Sequence, residues 1–320
     1  MRWKSAVLTA TLAGALGAGA AGAQQYPTRP IRVVVPFAPG GPNDFIVRII
    51  GQKLTEAWSY TVVVDNRPGA GGNIGTELVA KAAADGYTLL LAGLHFVVNP
   101  SLYNPIGYEP LRDFAAVTLA AVSPVIIAAH PSFAARDVRE LVQLAKDGNL
   151  AYGSPGNGTA GHLAGELLNS VANIRMEQIP YKGAAPAVAD LLGAQIKLAF
   201  VSLPPVTPHV KSGKLRAIAV TTLKRSAAVA DVPTVAESGF PAFFVDNMYG
   251  VLAPAGTPRA VIEKLNREIV RIVNLPEVKE RLASQGYDPA GDSPSDFSGY
   301  LRSELRKWGK LVTDAGVRAN

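Results

Sequence analysis

The sequence predicts an α/β fold of two lobes, built on mainly parallel sheets and joined by a hinge of two chain crossovers. Three observations predict it. Short Val- and Leu-rich runs alternate with amphipathic stretches of helical period, the rhythm of parallel strands covered by helices on both faces. The chain, at 320 residues, is longer than one hydrophobic core ordinarily organises, and such chains divide. No disordered linker or low-complexity tract marks a boundary, so the connection between lobes must run through structured segments.

The first residues stand outside this fold. Arg2 and Lys4 give a short positive region, an Ala/Gly/Leu stretch covers 6–20, and Ala21-Gly22-Ala23 places small residues before Gln24. That order is a secretory signal peptide, cleaved near Ala23, which assigns the mature chain to the periplasm. The stretch is short and weakly apolar for a membrane anchor.

In chain order, 31–35, 61–64 and 87–91 read as buried strands bounded by Gly, Pro or Asp. Helices are expected between them, at 45–57 and 74–83. A second series follows, with strands at 125–129, 150–153, 176–179, 196–201 and 217–221. Its helices are expected at 138–147, 161–172, 184–192 and 206–212. Near the C-terminus, 258–273 is a helix with Val261, Ile262, Leu265, Ile269 and Ile272 on one face, Pro258 in its first turn and Thr257 as its cap. A last helix covers 294–313. The crossovers are placed near 118–123 and 243–248. Lobe 1 is then 24–122 with 246–320, and lobe 2 is 123–245.

Composition removes several classes of function. Lys and Arg number 31 against 25 Asp and Glu, scattered without a block of like charge. No basic stripe or aromatic-studded patch marks a nucleic-acid binder, and the small surplus favours encounter with small anions. There is no cysteine, which excludes disulfides, thiolate metal sites and thiol catalysis. The four histidines, at 95, 130, 162 and 209, have no helical metal-binding spacing. No cofactor and no metal are expected.

Three strand-to-helix junctions carry the chemistry. They are Pro36-Phe37-Ala38-Pro39-Gly40-Gly41-Pro42-Asn43-Asp44, Asn66-Arg67-Pro68-Gly69-Ala70-Gly71-Gly72-Asn73-Ile74-Gly75, and Tyr152-Gly153-Ser154-Pro155-Gly156-Asn157-Gly158-Thr159-Ala160-Gly161-His162. The first amides of a helix lack intrahelical acceptors, and the helix dipole adds partial positive charge there. Glycine lets backbone approach a ligand, and Ser, Thr or Asn can cap the helix and donate from side chains. Such cradles suit carboxylate oxygens. Any one loop also reads as an ordinary tight turn; three of them, divided between the lobes, point to a ligand cleft.

Enzymatic templates fit poorly. Gly156-Asn157-Gly158-Thr159-Ala160-Gly161 matches the dinucleotide fingerprint G-x-G-x-x-G, but no acidic residue ends a strand at the required distance, so an NAD-dependent oxidoreductase is a weak alternative. Ser154 directly follows Gly153, so the nucleophile elbow is absent. His162 faces the cleft or packs on the first helical turn, and His95 is either a ligand contact or a packing residue at the cleft edge.

The junctions, together with Asp85-Gly86-Tyr87-Thr88-Leu89-Leu90, Asn99-Pro100-Ser101-Leu102-Tyr103, Pro180-Tyr181-Lys182-Gly183 and Leu252-Ala253-Pro254-Ala255-Gly256-Thr257-Pro258, resemble the Bug family of solute receptors. These are the periplasmic binding components of tripartite tricarboxylate transporters. The resemblance spans almost the whole mature chain. It implies a periplasmic-binding-protein type II fold, closure of two lobes on a small carboxylate (a di- or tricarboxylate or an aromatic acid), and delivery to membrane permease subunits. It also implies pocket walls formed by 37–44 and 66–75 on one side and 154–162 on the other.

The expected ligand-binding set is therefore Phe37, Ala38, Gly40, Gly41, Asn43, Asp44, Ala70, Gly71, Gly72, Asn73, His95, Ser154, Gly156, Asn157, Gly158, Thr159, His162, Tyr181, Lys182 and Ser202. Lys182 reads equally as a solvent-facing turn residue. At Val201-Ser202-Leu203, where many relatives carry an acidic residue, this chain has none. If position 202 lies in the pocket, amino acids bind worse than non-amino carboxylates. No catalytic residue is expected, and the chain is expected to act as a monomer. A receptor that senses its ligand and signals through a membrane partner would share all of these features.

Overall fold

The computed structural model describes residues 26–314; the leader assigned to 1–23 lies outside the described residues. The chain opens with β1 (Ile31–Val35), α1 (Pro42–Trp58), β2 (Val62–Asn66), a 3-10 turn at Ala70–Gly72, α2 (Asn73–Ala80), β3 (Thr88–Ala92), α3 (His95–Leu102) and the short α4 (Pro110–Asp113). The long β4 (Phe114–Ala129) leads into α5 (Val138–Asp147), β5 (Leu150–Ser154), α6 (Ala160–Ala172), β6 (Met176–Pro180), α7 (Ala184–Leu192), β7 (Leu198–Ser202), α8 (Thr207–Lys211) and β8 (Arg216–Val220). It returns through β9 (Asp246–Pro254), α9 (Arg259–Val273), α10 (Pro276–Gln285), β10 (Asp288–Pro289) and α11 (Pro294–Asp314).

The strands follow the order β2-β1-β3-β9-β4-β7-β5-β6, with β8 and β10 also paired to β4. Strands β1, β2 and β3 run parallel, as do β5, β6 and β7. Each group is completed by one strand of opposite sense, β9 beside β3 and β4 beside β7. The expected parallel βαβ strands are thus present, and the strands that connect the two groups run against them. Leu89, Leu90 and Leu91 on β3 are fully buried, as a strand covered on both faces requires. Each such side chain contributes about 1.5–3 kcal/mol of burial.

β4 belongs to both groups. Its early residues pair with β9 as far as Pro124↔Asp246, and its later ones pair with β7 from Val125↔Ser202. Pro124, which has no N–H to give a ladder, sits at the change of partner. The result is a two-lobed α/β fold whose sheets share a strand.

Local signals explain the helix ends. Asp137 caps α5 by accepting from the Glu140 amide at 2.8 Å, and Thr159 caps α6. The face of α9 is as expected, with Ile262, Leu265, Ile269 and Ile272 buried. Its cap is a correction: Thr257 Oγ1 donates to the Pro254 carbonyl at 2.7 Å, and Pro258 occupies the cap position without side-chain help.

Candidate functional site

The loop after β1 is shaped by one carboxylate. Gly40 takes φ +79, and its amide donates to Asp44 Oδ2 at 3.0 Å. The same carboxylate receives Arg48 at 2.8 and 2.9 Å. Burial pushes the Asp44 carboxyl up, but the Arg48 and Gly40 bonds outweigh it and hold the group below its ordinary 3.8. Asp44 therefore builds the loop, tying the Gly40 amide to Arg48. Gly41 ends the loop as the α1 cap with no side-chain capping bond, which leaves the first amides of a 17-residue helix unshielded by a side chain.

The loop after β5 is likewise held from within. Ser154 is fully buried, and its Oγ accepts from Gln178 Nε2 at 2.7 Å and from the Gly156 amide at 3.2 Å. The Gly158 amide donates to His162 Nδ1 at 3.2 Å, and Thr159 Oγ1 donates to the Gly156 carbonyl at 2.6 Å. Burial lowers the His162 imidazole to about 4, so it stays neutral and accepts. Ser154 and His162 thus fix the loop instead of facing the cleft, and the Gly156 and Gly158 amides are occupied. In the third loop the Gly72 amide donates to the Gly69 carbonyl at 2.9 Å. Asn73 is turned away from the cleft: its Oδ1 accepts Asn99 Nδ2 at 2.7 Å and lies 3.4 Å from the Tyr108 hydroxyl. Sequence reasoning does not anticipate how many of their polar groups these loops use themselves.

Two hollows that share Phe37 and Pro155 in their walls lie between these loops. The inner one, of about 30 Å³, is lined by Phe37, Ala38, Gly41, Pro42 and Asn43 from the first loop and by Pro155, Thr159, Ala160 and Gly161 from the β5 loop, with Gly93, Leu94, His95, Ala184, Ser202 and Asn247 closing it. The N-termini of α1 and α6, carried by opposite lobes, therefore open on the same space. The outer hollow, of about 310 Å³, is lined by Gly69, Ala70, Gly71, Gly72, Tyr103, Gly156, Asn157, Pro180, Tyr181 and Lys182; Phe37 and Pro155 border both. Such a volume lies within the range of small-molecule sites. Lys182 stands exposed at this outer rim. The Tyr181 hydroxyl donates to Asp190 Oδ2 at 2.7 Å, and burial with that carboxylate pushes it to about 12.

The lobes touch around this space. The Ala38 amide donates to the Lys182 carbonyl at 3.1 Å. A Cβ on Gly71 would lie 2.5 Å from the Asn157 carbonyl oxygen, and one on Gly158 would lie 1.8 Å from Asn99 Oδ1. Glycine is required at both positions for the lobes to meet this closely, and both hold positive φ.

His95 lines the inner hollow, 1% exposed, with its ring edge-on to Phe37 at 4.9 Å. Ser202 also lines it and accepts Asn247 Nδ2 at 3.2 Å. Asn247 and Gly93 are among the lining residues that sequence reasoning missed, with Leu94, Ala184 and Tyr103. Asn247 reaches the site from β9, and its Oδ1 accepts the amide of Leu94, 153 positions away. No local pattern announces such a contact. Among the described residues no cluster of potential metal ligands occurs, and no helix is long and apolar enough to cross a membrane.

Comparison with known proteins matches this arrangement to one family. Residues 46–317 match the tripartite tricarboxylate transporter family receptor. The chain belongs to that family. Protein BugT of Bordetella pertussis is 37% identical over 300 residues, covering 92% of each chain. Among solved structures, R. palustris Rpa4515 with adipate superposes at a TM-score of 0.89 with 33% identity, covering 92% of this chain and 99% of that one. MatC of Rhodopseudomonas palustris, solved with bound malate, gives 0.84 with 30% identity, covering 90% and 100%. A family receptor is a binding protein, and the G-x-G-x-x-G stretch follows from packing instead. A Cβ on Gly161 would lie 2.1 Å from the Phe200 carbonyl oxygen, so its glycine serves the close seating of α6 on β7.

Proposed function

We propose that this family receptor works in the periplasm, closing its lobes over a small carboxylate and presenting it to the permease subunits of a tripartite tricarboxylate transporter. The observation that carries the reading is the meeting of two helix N-termini, α1 from one lobe and α6 from the other, on one hollow. Amides without intrahelical acceptors and two converging dipoles favour an anion there and leave a cation without a partner. Lobe 1 would comprise 24–122 and 246–320, and lobe 2 would comprise 123–245. The adipate and malate held by the neighbouring structures extend to this chain as the ligand class, a short carboxylic acid.

A thermal-shift screen tests this. A ligand that binds only the folded state at one hundred times its Kd adds about 2.7 kcal/mol to stability. Di- and monocarboxylates should raise Tm in a saturable manner, while the corresponding amides and esters should not. A library in which no carboxylate shifts Tm, or in which neutral sugars or cations do so instead, would defeat the proposal.

A further inference from the structure

Where β4 changes partner, one side chain is bonded to both lobes. Asn247 is the β9 partner of Ser123, just before Pro124, and Ser202 is the β7 partner of Val125, just after it. Asn247 Oδ1 accepts the amide of Leu94, which follows β3 in lobe 1, at 3.1 Å. Its Nδ2 donates to Ser202 Oγ, in lobe 2, at 3.2 Å. A backbone N–H can only donate, so the Leu94 bond fixes which end of the side-chain amide is oxygen and leaves the NH2 end for Ser202. One orientation of one group therefore serves both contacts.

The surroundings give these bonds weight. Asn247 is 8% and Ser202 4% exposed, and Val125, Val201, Leu203 and Met248 beside them are fully buried. A buried donor stripped of its acceptor shifts an equilibrium about 5- to 150-fold. Leu94, Asn247 and Ser202 all line the inner hollow, so the bond from Asn247 to Ser202 ties one wall of the hollow to the other. A ligand enters only when those walls part. Leu94 and Asn247 then move together, because both belong to lobe 1, and the bond that opening breaks is the one to Ser202. Water solvates its two ends in the open form.

We propose that Asn247 is a positioning residue for capture: its amide clips lobe 2 to lobe 1 beside the hinge when the lobes close, and so sets how slowly a captured carboxylate is released. Ser202 is the catch and the Leu94 amide is the anchor. Because the anchor holds Oδ1 within lobe 1, the side chain is already oriented when Ser202 arrives, and little rotamer freedom is lost at closure. The clip acts on every acid alike, since a bond between the lobes is the same whichever acid lies beneath them. Its effect falls on release, the step that must break the bond, and not on the first encounter. The inference rests on the carboxylate-receptor reading and adds a control of release to it.

Stopped-flow kinetics test it, with malate and adipate, the acids held by the two neighbouring structures, and with the best binder of the thermal-shift screen. Ser202→Ala removes the catch and leaves the anchor. Release should quicken at least about fivefold, by the same factor for each acid that binds, with association within about twofold of wild type and the ligand-free Tm within about a degree. Asn247→Ala removes catch and anchor together, and adding Ser202→Ala to it should quicken release no further. A factor that differs from acid to acid, or one that persists undiminished in the Asn247→Ala background, would make the Ser202 hydroxyl a ligand contact. A ligand-free Tm lowered by several degrees with unaltered release would make the bond a permanent part of the hinge. Either result overturns the proposal, as does wild-type release in Ser202→Ala. If no carboxylate of any kind binds, the receptor reading itself has failed.

Discussion

Replacing Gly158 with alanine should separate closure from stability. The methyl would fall 1.8 Å from Asn99 Oδ1, little more than half the 3.4 Å at which ordinary contact begins. Asn99 cannot easily retreat, because its Nδ2 is held by the Gly71 carbonyl at 3.1 Å and by Asn73 Oδ1 at 2.7 Å. Gly158 and Asn99 belong to opposite lobes, so this clash arises only when the lobes meet. Overpacking of this kind costs about 1–3 kcal/mol. Charged to the closed state alone, it weakens ligand binding roughly 5- to 150-fold. A second cost, the φ of +74, is paid in open and closed forms alike, at about 1–2 kcal/mol. It lowers Tm without touching Kd. Gly213→Ala isolates that second cost, since Gly213 holds φ +70 with nothing within 4 Å of its Cβ. Calorimetric titration with the best ligand of the carboxylate screen, beside thermal melts, reads both quantities. Both variants should lose a few degrees of Tm, and only Gly158→Ala should lose affinity. Wild-type affinity in Gly158→Ala, or an equal loss in Gly213→Ala, would refute the reasoning.

Two further substitutions probe the scaffold. Ser154→Ala removes the acceptor of Gln178 and the Gly156 amide and should cost about 1–3 kcal/mol in chemical denaturation, with affinity falling by a similar factor for every ligand because the loop, not a contact, is lost. Burial raises the Asp246 carboxyl to about 6, with Lys307 opposing and Glu304 adding to the shift. The folded chain then holds a proton that the unfolded chain releases near its ordinary 3.8, so this group makes stability rise as pH falls from about 6 toward 4. Asp246→Asn should flatten that slope and stabilise the protein at pH 7 by about 1–3 kcal/mol, as urea melts across pH 4–8 would show; an unchanged slope would remove Asp246 from the account.

The periodic elements were legible from the sequence because their signals are local. α5 and α7 begin and end where the pattern places them, one capped by Asp137 and the other followed by Gly193. α3 was not legible: Phe96, Val97 and Val98 are all fully buried and Pro100 lies inside the helix, so no polar face reveals the period. The first part of β4 was not anticipated as strand, because 118–123 was assigned to a crossover. In the site, residue type indicated the loops, but side-chain direction decided their use. Ser154 and Asn73 point into their own scaffolds, whereas Ser202 and His95 line the space. Asn247 joins them through β9, whose strand character depends on pairing with β3 and β4.

The shared strand also governs how the molecule comes apart. β4 supplies ladder partners to β9 and β10 at one end and to β7 and β8 at the other. Melting either half strips hydrogen-bond partners from a strand that the other half needs, so neither can unravel while its neighbour stays intact. Heat should therefore be absorbed in one cooperative endotherm spanning all of 26–314. Proteases probing the native protein should find few intermediates to trim.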